Sequence, residues 1–373
     1  MVKVKRKKFS IKKTLRIVIP FILLLVIIVN LHNIITLFQS KITGYDFNTV
    51  ATFHELDIYD DIRKSQYSDT LAKIINTDDF NKKYLSDYLN IEYRESSQFF
   101  ENVNVLLDLG YNASDINIIY DKLSFDSIAL LLENYYFLDI SNVLNLDYFH
   151  EDKLLRYINY SKEKKLNYED VVTYVNIGLD YSYYSNVIKI DNQDDLLVLV
   201  NKYHSLASDY VPKDLEQINS IYNRGSNNKL KHVARVAFEK MCEAAFKDGI
   251  KIYSGSAYRS YNYQLNLYNN YVNMDGKTKA DTYSARAGYS EHQTGLALDI
   301  LNAQLDYISA SDKEYTWLVN NSYKYGFILR YPLGKENVTG YMYEEWHFRY
   351  VGEDIALKLH DSNLTYDEYM ARN

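Results

Sequence analysis

The sequence predicts an α+β C-terminal domain behind one apolar helix and a mostly α-helical, repeat-like region. Three observations carry this reading. A charge-free apolar run follows a basic N-terminus; short helical units recur through the first half; and in the second half strand-like alternations are separated by amphipathic helices. With 373 residues and a hydrophobic fraction of 47%, the chain has material for two packed domains.

The first sixteen residues hold Lys3, Lys5, Arg6, Lys7, Lys8, Lys12, Lys13 and Arg16 and no acid. From Ile17 to Phe38 no charged residue occurs. About 20 apolar residues cross a bilayer, and a basic cluster ahead of the span keeps its end on the cytoplasmic side. No small-x-small cleavage pattern follows, since the chain continues Gln39-Ser-Lys-Ile-Thr-Gly44. The expectation is a signal-anchor in the cell membrane: a cytoplasmic tail over 1–16, one span over 17–38, and the remainder outside. A cleaved, secreted form is the alternative. The net charge of −7 includes that basic tail, so the rest is more acidic still, which argues against nucleic acid as a partner. Cys242 is the sole cysteine, so no intramolecular disulfide can form.

From 46 to 192 the chain is polar, tyrosine-rich and free of proline. Helical units are expected near 114–123, 125–132, 151–160 and 168–177, with Ser114, Asp126 and Asn167 near their starts as N-caps require. They recur every ~15–25 residues without strict identity, which reads as a degenerate array of short helices. A spacer, a wall-binding module or a helical region without a ligand all fit. The compact apolar run of Leu196, Leu197, Leu199 and Val200 sets a domain boundary near 193.

Beyond it, Lys229 to Lys247 has an amphipathic stripe and a stop at Asp248-Gly249. A strand over 250–253 follows, then Arg259 in a loop, then a helix over 262–273 that carries Gln264. In Ser290-Glu-His-Gln-Thr-Gly-Leu-Ala-Leu-Asp-Ile300, the residues Leu296, Leu298 and Ile300 alternate with Ala297 and Asp299, as in a strand with one buried face. A carboxylate on its other face needs a partner, and a metal shared with His292 would serve. Downstream, Trp346, Phe348 and Tyr350 alternate with His347 and Arg349 in a further strand, with Glu344 at its entrance. Two histidines and an aspartate leave a fourth position open on zinc, and a nearby glutamate can act as general base.

These residues resemble the VanY-type D-alanyl-D-alanine carboxypeptidases of the M15 zinc peptidases. The pattern SxHxxGxAxD is matched by Ser290, His292, Gly295, Ala297 and Asp299, and ExWH by Glu344, Trp346 and His347. Upstream, YRSxxxQ is matched by Tyr258, Arg259, Ser260 and Gln264. The likeness spans about 194–360. It implies a small antiparallel sheet flanked by helices, within a zinc carboxypeptidase domain over 193–373. It implies zinc (Zn2+) on His292, Asp299 and His347, Glu344 as base, Arg259 against the scissile carbonyl, and Ser290 and Gln264 near the substrate. Where members of the family have Glu-Pro-Trp-His, this chain has Glu344-Glu345-Trp346-His347; spacing to His347 favours Glu344 over Glu345. The activity implied is removal of the terminal D-alanine from peptidoglycan stem peptides. The alternatives are L,D-carboxypeptidase or endopeptidase activity within the same family, or an inactive wall-binding scaffold.

Overall fold

The computed structural model describes residues 11–134, 139–226 and 228–373, with side chains from Val18 onward. The basic tail expected over 1–16 therefore lies outside the described residues, apart from the backbone of 11–16. The chain forms two compact units, Met1–Asn145 and Leu146–Asn373.

The first unit begins with helix α1, Ile11–Thr43. Its segment Val18–Thr43, whose most apolar 18-residue window has a mean hydropathy of 2.5, is long and apolar enough to cross a membrane. At 1.5 Å per residue it would reach about 39 Å, more than a ~30 Å hydrocarbon core. Short helices follow, several of them begun by a side chain that satisfies an otherwise orphaned backbone N–H. Asp46 accepts from the Thr49 amide, Asn112 and Asp115 form a reciprocal capping box, and Ser124 caps Phe125–Glu133. Asn112 and Ser124 each stand two residues before the positions expected from sequence, Ser114 and Asp126. Phe99, Val103, Leu106, Ile116, Ile119 and Leu131 are fully enclosed, so the helices pack through the periodic apolar faces that the sequence displays.

In the second unit, helices α2 (Leu154–Lys164) and α3 (Tyr168–Ile177) come first. The sequence reading grouped 146–192 with the preceding array, whereas here the segment packs with the unit that follows it. The Asn176 amide donates to the Ala371 carbonyl at 3.2 Å, and Arg372 Nε donates to Thr173 Oγ1 at 3.0 Å. Those contacts tie α3 to the C-terminal helix Tyr366–Ala371, a long-range partnership that local composition does not reveal.

The centre of this unit is a four-stranded antiparallel sheet of β1 (Tyr253–Ser256), β2 (Ala297–Leu301), β3 (Phe327–Leu329) and β4 (His347–Tyr350), in the order β1-β2-β4-β3. Strand β1 starts three residues later than the sequence pattern suggests. Ile252 is apolar because it packs into the core, but ladder pairing begins at Tyr253, opposite Leu301. Leu298 and Phe348 are register partners on the core face, where Phe238, Met241 and Cys242 of the helix His232–Lys247 meet them. Cys242 is a buried packing residue, as its place in an amphipathic helix predicts. Burying each large side chain of this core contributes about 1.5–3 kcal/mol. The pleat then decides the rest: with Leu298 and Phe348 turned inward, Asp299 and His347 must share the opposite face.

Candidate active site

Asp299 on β2 and His347 on β4 are direct register partners, so the ladder itself sets carboxylate against imidazole. His347 Nδ1 lies 3.1 Å from Asp299 Oδ1. His292 arrives from the 3-10 turn Glu291–Thr294, and its Nε2 is 3.4 Å from the same oxygen. That turn ends at Gly295, where φ is +67° and a Cβ would stand 2.7 Å from the Leu215 side chain and 3.3 Å from the Lys231 amide nitrogen. Only glycine fits this close approach at a left-handed position, and it is what swings His292 back toward β2.

The ligand-type atoms of His292, Asp299 and His347 lie within 4.8 Å of one another, and all three residues are buried. His292 Nδ1 is 2.7 Å from the Ala257 carbonyl. It must donate there, which leaves Nε2 as a lone pair facing Asp299. Burial, with the Arg259 charge, pushes His292 down to about 4, so it is neutral near pH 7, the form a metal needs. For His347 burial acts downward too, but hydrogen bonds to Asp299 and Glu291 prevail and push it up to about 9. Burial would raise the Asp299 pKa, yet His292 and Arg259 hold it well below the usual carboxylate range. Two imidazoles and one carboxylate, converging in a buried place, fit zinc.

Arg259 stands in the loop after β1. Its guanidinium donates to Asp299 Oδ2, and its Nε donates to Ser256 Oγ at 2.9 Å. Glu344 sits at the mouth of β4, with Oε2 3.9 Å from His347 Nδ1. Burial first, and then the Asp299 charge, push its pKa up to about 7. Arg259, Gln264, Ser290 and Glu344 all line one cavity of about 310 Å3 with the three ligand-type residues, and Glu345 does not. The Gln264 amide nitrogen is held by the Ala285 carbonyl at 2.7 Å, while its buried Oε1 has no hydrogen-bond partner among the described residues.

Sequence reasoning passed over Glu291, which occupies a free position of the SxHxxGxAxD pattern. It is fully enclosed; its Oε1 accepts from Arg330 Nε at 2.8 Å and Arg349 Nη1 at 3.1 Å. Its Oε2 lies 3.5 Å from His347 Nε2, on the side of the ring away from Asp299. Burial acts against ionisation, but Arg330 and Arg349 overcome it, so Glu291 stays a carboxylate. Arg330 also donates to Asp367 Oδ2 at 2.6 Å, which joins the site to the C-terminal helix. A signal was available: Arg349 was read on the His347 face, and a buried arginine there demands an acid.

Comparison with known proteins bears on these residues directly. The family model described as VanY, D-alanyl-D-alanine carboxypeptidase, matches residues 227–353. YodJ of Bacillus subtilis is 37% identical over 208 residues, which are 52% of this chain and 76% of that protein. A D-alanyl-D-alanine carboxypeptidase of Enterococcus faecalis is 34% identical over 190 residues, 48% of this chain and 67% of the relative. Among solved structures, the VanY D,D-pentapeptidase of the VanB-type resistance cassette, in complex with Zn(II), is 33% identical with a TM-score of 0.42. That match covers 47% of this chain and 98% of the solved one. The sequence relatives, together with the family match over the segment that carries all four strands of the central sheet, place this chain in the VanY family of D-alanyl-D-alanine carboxypeptidases.

Proposed function

We propose that this chain is a membrane-anchored zinc carboxypeptidase that removes the terminal D-alanine from peptidoglycan stem peptides outside the cell. The observation that carries the reading is the convergence of His292, Asp299 and His347 within 4.8 Å in a buried cavity that also holds Glu344. His292 Nε2, an Asp299 oxygen and His347 Nδ1 would hold the ion. Zinc bound there supplies Lewis acidity toward the scissile carbonyl and toward water.

The chain's own groups do the remainder. Glu344 takes a proton from the attacking water and passes it to the departing amine as the C–N bond breaks, and its place in the cavity beside the ligand set suits it to both transfers. Arg259 meets the carbonyl oxygen as it gains negative charge. Its bond to Asp299 keeps the guanidinium fixed before substrate arrives. Gln264 offers its unpartnered Oε1 to a substrate N–H, and Ser290 lines the same wall.

Anchoring is supported by α1, whose large apolar side chains, such as Phe21 at 63% and Leu31 at 56% exposure, lack cover within the protein. The basic residues ahead of it favour an inside N-terminus and a catalytic unit on the outer face. The test is to incubate the protein with defined penta- and tetrapeptide stems and weigh the products. Loss of one alanine from the pentapeptide alone supports the D,D reading. Loss from the tetrapeptide alone assigns L,D activity, and cleavage of neither refutes carboxypeptidase action.

A further inference from the structure

A second cavity, of about 540 Å3, lies outside the segment matched by the family except for Asn337. Its walls include Tyr174, Tyr181, Tyr183, Tyr203, Lys164 and Asn337. Its volume falls in the ~300–1,000 Å3 range of small-ligand sites. Tyr181 and Tyr183 are 36% and 43% exposed, so their rings are open to a ligand.

Both rings are fixed from behind. The Arg156 guanidinium lies 4.3 Å from the Tyr181 ring centre, and it is itself clamped by Asp180 through two bonds of 2.7 Å. Lys202 Nζ lies 4.3 Å from the Tyr183 ring centre and donates to the Asp281 carbonyl at 2.7 Å. A cation packed against each ring removes mobility that binding would otherwise have to freeze. Lys202 also lies 4.5 Å from the Tyr341 ring, and Tyr341 lines the catalytic cavity. The two cavities are thus neighbours across Lys202 and the segment from Asn337, in the short helix Glu336–Thr339, to Tyr341.

We propose that this tyrosine-walled cavity is a subsite for the glycan strand of peptidoglycan, seating a sugar while the stem peptide enters the catalytic cavity. The choice of glycan rests on the proposed peptidoglycan substrate, and the chemistry of the walls favours it. A pyranose offers an apolar C–H face to an aromatic ring and hydroxyls to amide, hydroxyl and ammonium groups at its edge. Among the described residues that line it, Lys164 is the only cation and none is a carboxylate, which suits a neutral ligand better than a polyanion or a cationic peptide.

The experiment uses the full chain with three probes: glycan strands stripped of their stems, free pentapeptide stems, and intact peptidoglycan. For Tyr181→Ala/Tyr183→Ala, loss of two stacked rings should weaken binding to stripped glycan by about ten-fold or more. Turnover of intact peptidoglycan should fall alongside, and turnover of free stems should stay at the wild-type value. Tyr183→Phe, which keeps the ring, should retain binding. If the alanine variant melts early, Asn337→Ala on another wall carries the test with the same expected direction. Wild-type protein that ignores stripped glycan, or binds teichoic acid in its place, overturns the proposal. So does a folded double variant that binds glycan as well as the wild type, or loses free-stem turnover equally. Glycan binding without cleavage of any stem would uphold this subsite and refute the carboxypeptidase reading instead.

Discussion

Replacing Glu291 by glutamine separates a structural acid from a functional one, because the side chain keeps its shape and loses its charge. Glu291 compensates two fully enclosed guanidiniums and backs His347 from the side opposite Asp299. Breaking a buried pair from one side costs roughly 3–5 kcal/mol. Here the lower end applies, since Arg330 keeps Asp367 at 2.6 Å and Arg349 keeps the Leu196 and Val198 carbonyls at 3.0 and 2.9 Å. For a unit of this size about 3 kcal/mol corresponds to a fall of roughly 6–12 °C in Tm. The imidazole also loses its charged acceptor, because the one oxygen glutamine retains must serve either the two arginines or His347, and such outer contacts are worth about 10–100-fold in metal affinity. Thermal unfolding in chelator and zinc competition against a calibrated chelator measure the two effects. A variant that melts with the wild type and binds zinc equally well would refute the role given to Glu291; a lowered Tm with unchanged affinity would make it purely structural.

Glu344→Gln should retain zinc and lose about 10²–10⁴-fold in kcat; full turnover with zinc bound would remove Glu344 as the base. Zinc affinity should rise with pH up to about 9, by as much as ten-fold per unit, because the ion must displace the His347 proton. The metal-free protein should move oppositely. His347 is raised on folding, so its contribution is complete below the unfolded value near 6.5 and is lost as pH climbs through about 9. Affinity flat between pH 6 and 8 in a titration series would contradict both statements. Gly295→Ala should destabilise by about 1–3 kcal/mol, since φ is +67° and Leu215 occupies the Cβ position; urea unfolding reads this, and an unchanged midpoint would contradict it.

Much of the site is legible in the sequence because strand alternation is local. Leu296, Leu298 and Ile300 turn Asp299 to the other face, and Phe348 does the same for His347, so period two alone orients both. Opposing them needs the register of β2 with β4, which lies in pairing 48 residues apart and not in either strand. The offset in β1 arose because Ile252 is apolar for core packing and not for ladder pairing. Strand β3 is three residues long, Phe327–Leu329, too short for its alternation to stand out. Glu291 was hidden for another reason: its partners Arg330 and Arg349 come from elsewhere in the fold, and a buried charge cluster leaves no periodic trace. The partnership of α3 with the last helix is equally non-local.

The central claim, that His292, Asp299 and His347 hold one zinc ion beside Glu344, is tested most directly by anomalous diffraction at the zinc edge on crystals of the zinc-loaded protein. A single strong peak is expected about 2.0–2.2 Å from His292 Nε2, an Asp299 carboxylate oxygen and His347 Nδ1. A peak held by other residues, or none from protein shown to carry zinc, would contradict it.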